Sequence, residues 1–221
     1  DQYEVNKHYF VGQYFKDQYD VSLADLPFIN SLVSITRMEV WVTNRNNSTD
    51  NTRTVLAAMD LGERNYFEPT GYITNAFNVT VPFPQDSANS LYDQFNLNPD
   101  LRDVTLVQNS IANITQLSPS RDYEVVQNAR RLATTEYTFN PRLGYISLNQ
   151  ALNGNEVLAV AYEYTIGGKV YRVGDLTNTG IEPPKVLFMK LLKGRVNNTK
   201  LPTWDLMMKN VYALGGFQLD R

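Results

Sequence analysis

The chain has 221 residues, a formal net charge of −3, no cysteine and one histidine. This composition excludes disulfides, thiolate metal sites and a cysteine nucleophile, and the charge gives no electrostatic footprint for nucleic acid. Hydrophobic residues make up 43% of the chain, as in ordinary folded proteins, and no apolar run approaches the length of a membrane-spanning helix.

The first predicted feature along the chain is an aromatic cluster near the N-terminus. Tyr9, Tyr14 and Tyr19 belong to it, and the single histidine, His8, lies beside them. Exposed aromatic rings stack on sugars or anchor protein interfaces, whereas buried rings only pack. We keep these three tyrosines as candidate interaction residues. We interpret His8 as a member of the cluster, although any serine triad would have to use it as the base.

Two alternating segments, 35–44 and 53–63, come next and predict a half-buried hairpin with a long polar loop. Trp41 lies on the polar side of the first segment and is therefore a fourth candidate interaction residue. Oxygen-bearing side chains alternate in the 44–53 loop as calcium ligands do, but the glycine and final glutamate of an EF-hand loop are absent. A calcium ion in this loop is left open.

A helical insertion is predicted around 86–114. Residues 82–95 supply a candidate cap followed by an apolar side, and residues 98–114 carry apolar side chains at three- and four-residue steps behind Pro99. The sequence thus predicts two helices, the second of them continuous to residue 114.

β-structure resumes after the insertion. Segments 121–126, 135–139 and 145–149 predict strands, and EVLAVAYEYTIGGKVYRVGDL (156–176) predicts a hairpin. Glycine takes positive φ without steric cost, so a primed turn at Gly167-Gly168 places Tyr164 opposite Tyr171 and Glu163 opposite Arg172. We expect about four of these strands to form a meander.

The C-terminal part predicts a strand or helix at 186–192 and a helix from Thr203 towards Gly215. We expect a mainly β fold, a β-sandwich-like domain with the helical insertion and this C-terminal helix; an α+β fold is the runner-up. We divide the chain as a single domain, 1–221, with 185–221 as a possible extension. Because the chain starts at Asp1 and shows no signal peptide, we interpret it as a segment of a larger protein.

No sequence pattern for catalysis stands out. The chain has no GxSxG, P-loop or GxGxxG motif. The carboxylate pairs Asp17/Asp20 and Asp60/Glu63 would suit a glycoside hydrolase only if a sugar cleft separated them suitably. We therefore expect a protein that is not an enzyme, with no catalytic residue, no metal and no cofactor.

Several blocks of the chain, in order, resemble the SprA/Sov family of very large cell-surface proteins. The most specific blocks are EVLAVAYEYTIGGKVYRVGDL (156–176) and LPTWDLMMKNVYALG (201–215), and HYFVGQYFKDQYDVSLADLPFINS (8–31) adds to them. The loop at 44–53 and the region 106–121 are the least similar parts. Proteins of this family belong to Bacteroidetes-type bacteria and are associated with gliding motility and type 9 secretion.

The resemblance implies that the parent protein is the outer-membrane translocon through which folded cargo leaves. The segment would then be a soluble part on the periplasmic or extracellular side, contacting other parts of the translocon, secretion-system proteins or exported cargo, and not nucleic acid. It implies no catalytic residues at these positions. The alternative is a carbohydrate-binding β-sandwich module that uses Trp41 or the tyrosines at the cell surface.

Overall fold

The computed structural model describes residues 2–45, 51–64, 72–73 and 83–213. The 46–50 part of the candidate calcium loop therefore lies outside the described residues. The described strands are β1 (Gln2–Tyr3), β2 (His8–Phe10), β3 (Ser34–Val42), β4 (Thr52–Ala58), β5 (Tyr123–Arg131), β6 (Tyr137–Asn140), β7 (Tyr145–Leu148), β8 (Leu158–Ile166), β9 (Lys169–Val173), β10 (Leu187–Lys193) and β11 (Tyr212–Ala213). The described α-helices are α1 (Gln13–Ser22), α2 (Leu91–Leu97), α3 (Val107–Ala112) and α4 (Pro202–Leu206).

Five strands close into a ring. Their order is β10, β4, β5, β3 and β8, and β8 pairs in turn with β10, which completes the circle. All pairings are antiparallel except that of β10 with β4. One edge of β8 is shared, because β10 pairs with its first residues and β9 with residues 162–166.

Alternate residues of the five strands form one apolar cluster, which we place inside the ring. Its members are mostly aliphatic and several are alanine: Trp41, Val55, Ala57, Met59, Val126, Ala129, Val157, Ala159, Ala161, Leu176, Leu187, Met189 and Leu191. A ring of five strands leaves little internal space, so small side chains are needed opposite the one tryptophan.

A second sheet packs on the outer face of β3 and β8. It has the order β2, β7, β6, with β7 in the middle. Phe15 of α1 is buried in the same cluster as Tyr162 and Tyr164 of β8, and their rings make edge-on contacts at 6.0 and 6.4 Å between centroids. The aromatic residues near the N-terminus therefore join this sheet to the ring.

The helical insertion covers the opposite side of the ring. Apolar residues of α2 and α3 share a buried cluster with the outward side chains of β4, β5 and β10. The single helix predicted over 98–114 is wrong in detail. The chain forms a short 3-10 helix at Pro99–Arg102 and resumes as α3 at Val107, because Asp103 is extended and its carboxylate accepts the Thr105 amide at 2.7 Å.

Two strand connections differ from the sequence prediction. β3 and β4 do not form a hairpin, since β5 lies between them in the ring. The predicted meander is also interrupted: β6 and β7 belong to the smaller sheet, whereas β8 and β9 belong to the larger one. Residues distant in sequence supply the missing partners, and local patterns cannot reveal such pairings.

The predicted β8–β9 hairpin is confirmed residue by residue. Tyr164 pairs with Tyr171 and Glu163 with Arg172, and both turn glycines have positive φ, 55° at Gly167 and 83° at Gly168. The two tyrosine rings stack with centroids 5.4 Å apart. The predicted mainly β fold is confirmed, with the particular feature that the larger sheet closes on itself.

The C-terminal part of the chain differs from the helix predicted there. α4 ends at Leu206, and the extended residues that follow lead into β11, which pairs with β1. Pro202 occupies the first helical turn and Leu201, not Thr203, is the residue before it. No helix among the described residues is long and apolar enough to cross a membrane.

A buried ion pair lies on the outer side of β10. The Lys190 ammonium is 2.8 Å from Glu63 Oε1 and also donates to the Met59 carbonyl, and both charged side chains are almost completely buried. Glu63 Oε1 further accepts the Gln13 amide at 3.1 Å, which ties the start of α1 to the ring.

Replacing Gly144 tests the packing between α1 and the smaller sheet. Gly144 has φ of 64°, and a Cβ there would lie 1.9 Å from the Phe15 ring. We expect Gly144→Ala to lower the free energy of unfolding by more than about 2 kcal/mol, from strain and overpacking together. Gly154→Ala is the control, because a Cβ at Gly154 meets nothing within 4 Å. Equal stability of both variants in denaturant titrations would contradict this packing.

The Lys190–Glu63 pair gives a second stability test. Glu63→Gln keeps an acceptor for the Gln13 amide but leaves the buried ammonium without a counter-charge, so we expect a loss of about 3–5 kcal/mol in the free energy of unfolding. Adding Lys190→Met should recover most of that loss. Lys209→Met removes the exposed pair with Asp205 and is expected to change little. Additive losses in the double variant would refute the coupling.

Candidate functional site

The four aromatic candidates fall into two groups. Trp41 is only 2% exposed and Tyr9 only 1%, whereas Tyr14 and Tyr19 of α1 are half-buried. The expectation that Trp41 lies at the surface is corrected: its ring is inside the strand ring, and Nε1 donates to Glu39 Oε2 at 3.4 Å. Burial of Tyr9 raises the pKa of its hydroxyl.

Tyr14 and Tyr19 present partly accessible edges beside α1. Tyr14 contacts Phe83 with ring centroids 5.5 Å apart, and Tyr19 contacts Phe10 at 5.3 Å. Partial burial raises the pKa of both hydroxyls, so they remain neutral near pH 7. An interaction role for these two tyrosines stays a prediction.

The segment after α1 exposes several large apolar side chains within twelve residues. Val21 is 61% exposed, Leu26 67%, Phe28 74% and Leu32 73%. We call residues 21–32 the apolar loop. Isolated exposed apolar residues are common, but a group of this kind on one short segment is typical of an interaction surface.

Hydrogen bonds hold the apolar loop in a defined shape. The Phe28 amide donates to the Asp25 carbonyl at 3.0 Å, and the Asn30 amide donates to the Ser22 carbonyl at 2.9 Å. The Asn30 side chain also donates to Asp25 Oδ2 at 2.7 Å. The apolar side chains are therefore presented on a braced turn.

A groove of about 620 Å³ borders the apolar loop. Leu32 lines it together with Tyr14, Asp17 and Phe83. Asp17, Asp20 and Asp25 are all exposed near the apolar side chains, which gives this surface an acidic margin. The sequence did carry a signal for it: the apolar residues between 21 and 32 follow neither a strand nor a helix period, and our pattern search ignored such segments.

His8 contacts two polar side chains on the smaller sheet. Its Nδ1 lies 2.8 Å from Ser147 Oγ, and its Nε2 lies 2.9 Å from Glu4 Oε2. The residue types match a serine triad, but His8 and Ser147 are direct cross-strand neighbours in the β2–β7 pairing. Strand register alone therefore accounts for the contact, and Glu4 also pairs with Lys7.

A buried carboxylate joins the helical insertion to the ring. Asp175 is fully buried and accepts from the Tyr92 hydroxyl at 2.6 Å and from the Phe188 amide at 2.6 Å. Arg102 pairs with it and lies over the Phe188 ring. Every oxygen of this carboxylate is thus engaged in holding α2, the 3-10 helix and β10 together.

Asp86 lies next to this group. Its Oδ1 accepts the Gly174 amide at 2.7 Å and its Oδ2 is 3.5 Å from Arg172. Burial dominates over these favourable contacts and raises the pKa of Asp86 to about 7, with nearby Asp175 adding to the rise. The residue pairs Asp60/Glu63 and Asp17/Asp20 show no comparable arrangement, since Glu63 is taken by Lys190.

Asp86 predicts a pH dependence of stability. The unfolded chain releases this proton near pH 4 and the folded chain near pH 7, so deprotonation opposes folding between those values. We expect the free energy of unfolding of Asp86→Asn, relative to the natural chain, to rise with pH by at most about 1.4 kcal/mol per unit across this window. Parallel stability curves for the two proteins would contradict the shifted pKa.

Among the described residues, no group of three or more His, Asp or Glu side chains is arranged to hold a metal ion. The family model SprA_N, described as motility related/secretion protein, matches residues 1–153. No curated protein matches the chain. The match spans more than half of the 221 residues and confirms the resemblance drawn from the sequence. The chain therefore belongs to the SprA_N family of motility-related and secretion proteins.

Proposed function

We propose that this chain is a non-catalytic structural and interaction domain of the type 9 secretion outer-membrane translocon, supporting protein export and gliding motility. Membership of a secretion and motility family supports a place at the cell envelope. The partners would be other parts of the parent translocon and secretion-system proteins, with exported cargo as a further candidate.

The apolar loop is the observation that carries this proposal. A folded domain gains nothing in its own stability from four large apolar side chains in water, so their exposure is best explained by a partner that covers them. The acidic margin of Asp17, Asp20 and Asp25 favours a partner whose apolar patch is bordered by lysine or arginine.

The ionisable groups support a structural role. The buried charges near the ring are each engaged by an opposite charge or by hydrogen bonds, as with Asp175, Lys190 and Glu39. Groups engaged in this way hold elements together and have no free valence for a substrate.

The carbohydrate-binding alternative loses its principal residue. Stacking on a sugar requires an accessible ring face, and Trp41 is inside the strand ring. Only Tyr14 and Tyr19 remain partly accessible among the four candidates, and neither presents an open face together with the other. A glycan array with the isolated domain would show binding if this alternative held.

Replacing the apolar loop side chains in the parent protein tests the proposal. We expect Leu26→Ser with Phe28→Ser to reduce export of a tagged cargo several-fold, while the free energy of unfolding of the domain changes by less than about 0.5 kcal/mol. Leu97→Ser is the matched control, because Leu97 is an equally exposed leucine at the end of α2. Normal export and gliding in the double variant would remove the proposed role of the loop.

A further inference from the structure

Strand β3 has one edge that is mostly without a neighbouring strand. Its other edge pairs with β8 from Ser34 to Val42. Towards β5, however, only Trp41 and Val42 are paired, because the chain leaves the ring soon after Arg131. Strand pairing on this side therefore stops before Val40.

The remaining contacts on this edge involve single groups. The Val40 carbonyl accepts the Leu132 amide at 2.8 Å, and the Met38 carbonyl accepts the Tyr137 hydroxyl at 3.1 Å. In a strand the N–H and C=O of one residue point to the same edge, so the amides of Met38 and Val40 face this side as well. No strand within the described ranges pairs with them.

A groove of about 720 Å³ runs beside this edge. Residues of β3 form one wall, and Leu132, Tyr137 and Phe139 contribute the opposite side. The stretch from Thr36 to Val40 is about 13 Å long at strand spacing, enough for four or five residues of an extended peptide. The groove thus combines a strand edge with apolar side chains, as peptide sites that work by strand addition do.

The charges of the groove favour an acidic ligand. Three arginines line it, Arg37, Arg130 and Arg131. Arg130 is paired with Glu136 and Arg131 with Glu39. Arg37 is half-buried and has no ion-pair partner in the described part of the chain. One positive charge is therefore left to meet a carboxylate.

We propose that this groove binds an extended segment of a partner protein, which adds to β3 as a further strand and places a carboxylate beside Arg37. The backbone amides of Met38 and Val40 supply affinity that is independent of sequence. Arg37 and the apolar wall supply the preference for an acidic residue flanked by apolar ones.

The test uses amide NMR spectra of the whole 221-residue chain with synthetic peptides. The probe is the end-blocked pentapeptide Thr-Val-Asp-Val-Thr, and the matched peptide carries Lys in place of Asp. We expect the acidic peptide to shift the amide signals of Met38 and Val40 with a Kd below about 1 mM, and the lysine peptide to bind more weakly.

Two arginine variants separate the groove from general charge effects. Arg37→Glu is expected to weaken the acidic peptide about tenfold or more and to favour the lysine peptide. Arg142→Glu is the control, since Arg142 lies exposed in the β6–β7 turn. The inference is independent of the apolar loop, so the Leu26→Ser, Phe28→Ser chain should bind the peptide normally.

Three results would overturn the proposal. One is the absence of shifts at Met38 and Val40 at millimolar peptide. Another is an equal effect of Arg37→Glu and Arg142→Glu on the acidic peptide. The third is a concentration-dependent shift of the same amides without peptide, which would mean that a second copy of the chain occupies the edge.

Discussion

Closure of the strand ring by the β8–β10 pairing is the constraint on which the rest of the structure depends. Lys190 pairs with Val160 and Leu191 with Ala159, so that β10 is held between β8 and β4. Closure removes the free edges at this point and fixes which residues face inwards. Once the inward set is fixed, the outward faces of the same strands become the two surfaces on which the remaining layers pack.

Those two surfaces are covered differently. On the side of β3 and β8, aromatic residues dominate the contact with the smaller sheet and α1. On the side of β4, β5 and β10, the helical insertion covers the ring and is fastened by Asp175, whose partners come from three separate elements. The interaction surfaces, the apolar loop and the groove beside β3, are the parts that neither layer covers. A rigid block with two uncovered features suits a domain that binds others.

Local chemistry was enough to predict some parts of this fold. The Gly167-Gly168 turn determined the whole register of β8 and β9, because one turn type allows one pairing. The neighbours of β3 could not be predicted, since β5 comes from beyond the insertion. Trp41 was misassigned for a related reason: Arg37 and Glu39 share its face, which suggested water, yet in a closed ring that face is the interior, and Glu39 is satisfied there by Thr177 and Arg131. The apolar loop has no period, so only coordinates reveal its exposure.

The short ladder between β1 and β11 has a mechanical meaning. Gln2 pairs with Ala213 and Tyr3 with Tyr212, so the polypeptide enters and leaves the domain side by side. Tension applied through both flanks of the chain would load these two residue pairs first, and they would open one after the other like a zipper. The ring would bear force only after that clasp had parted. A domain joined to a moving cell surface in this way could yield by a small extension while its folded body stayed intact.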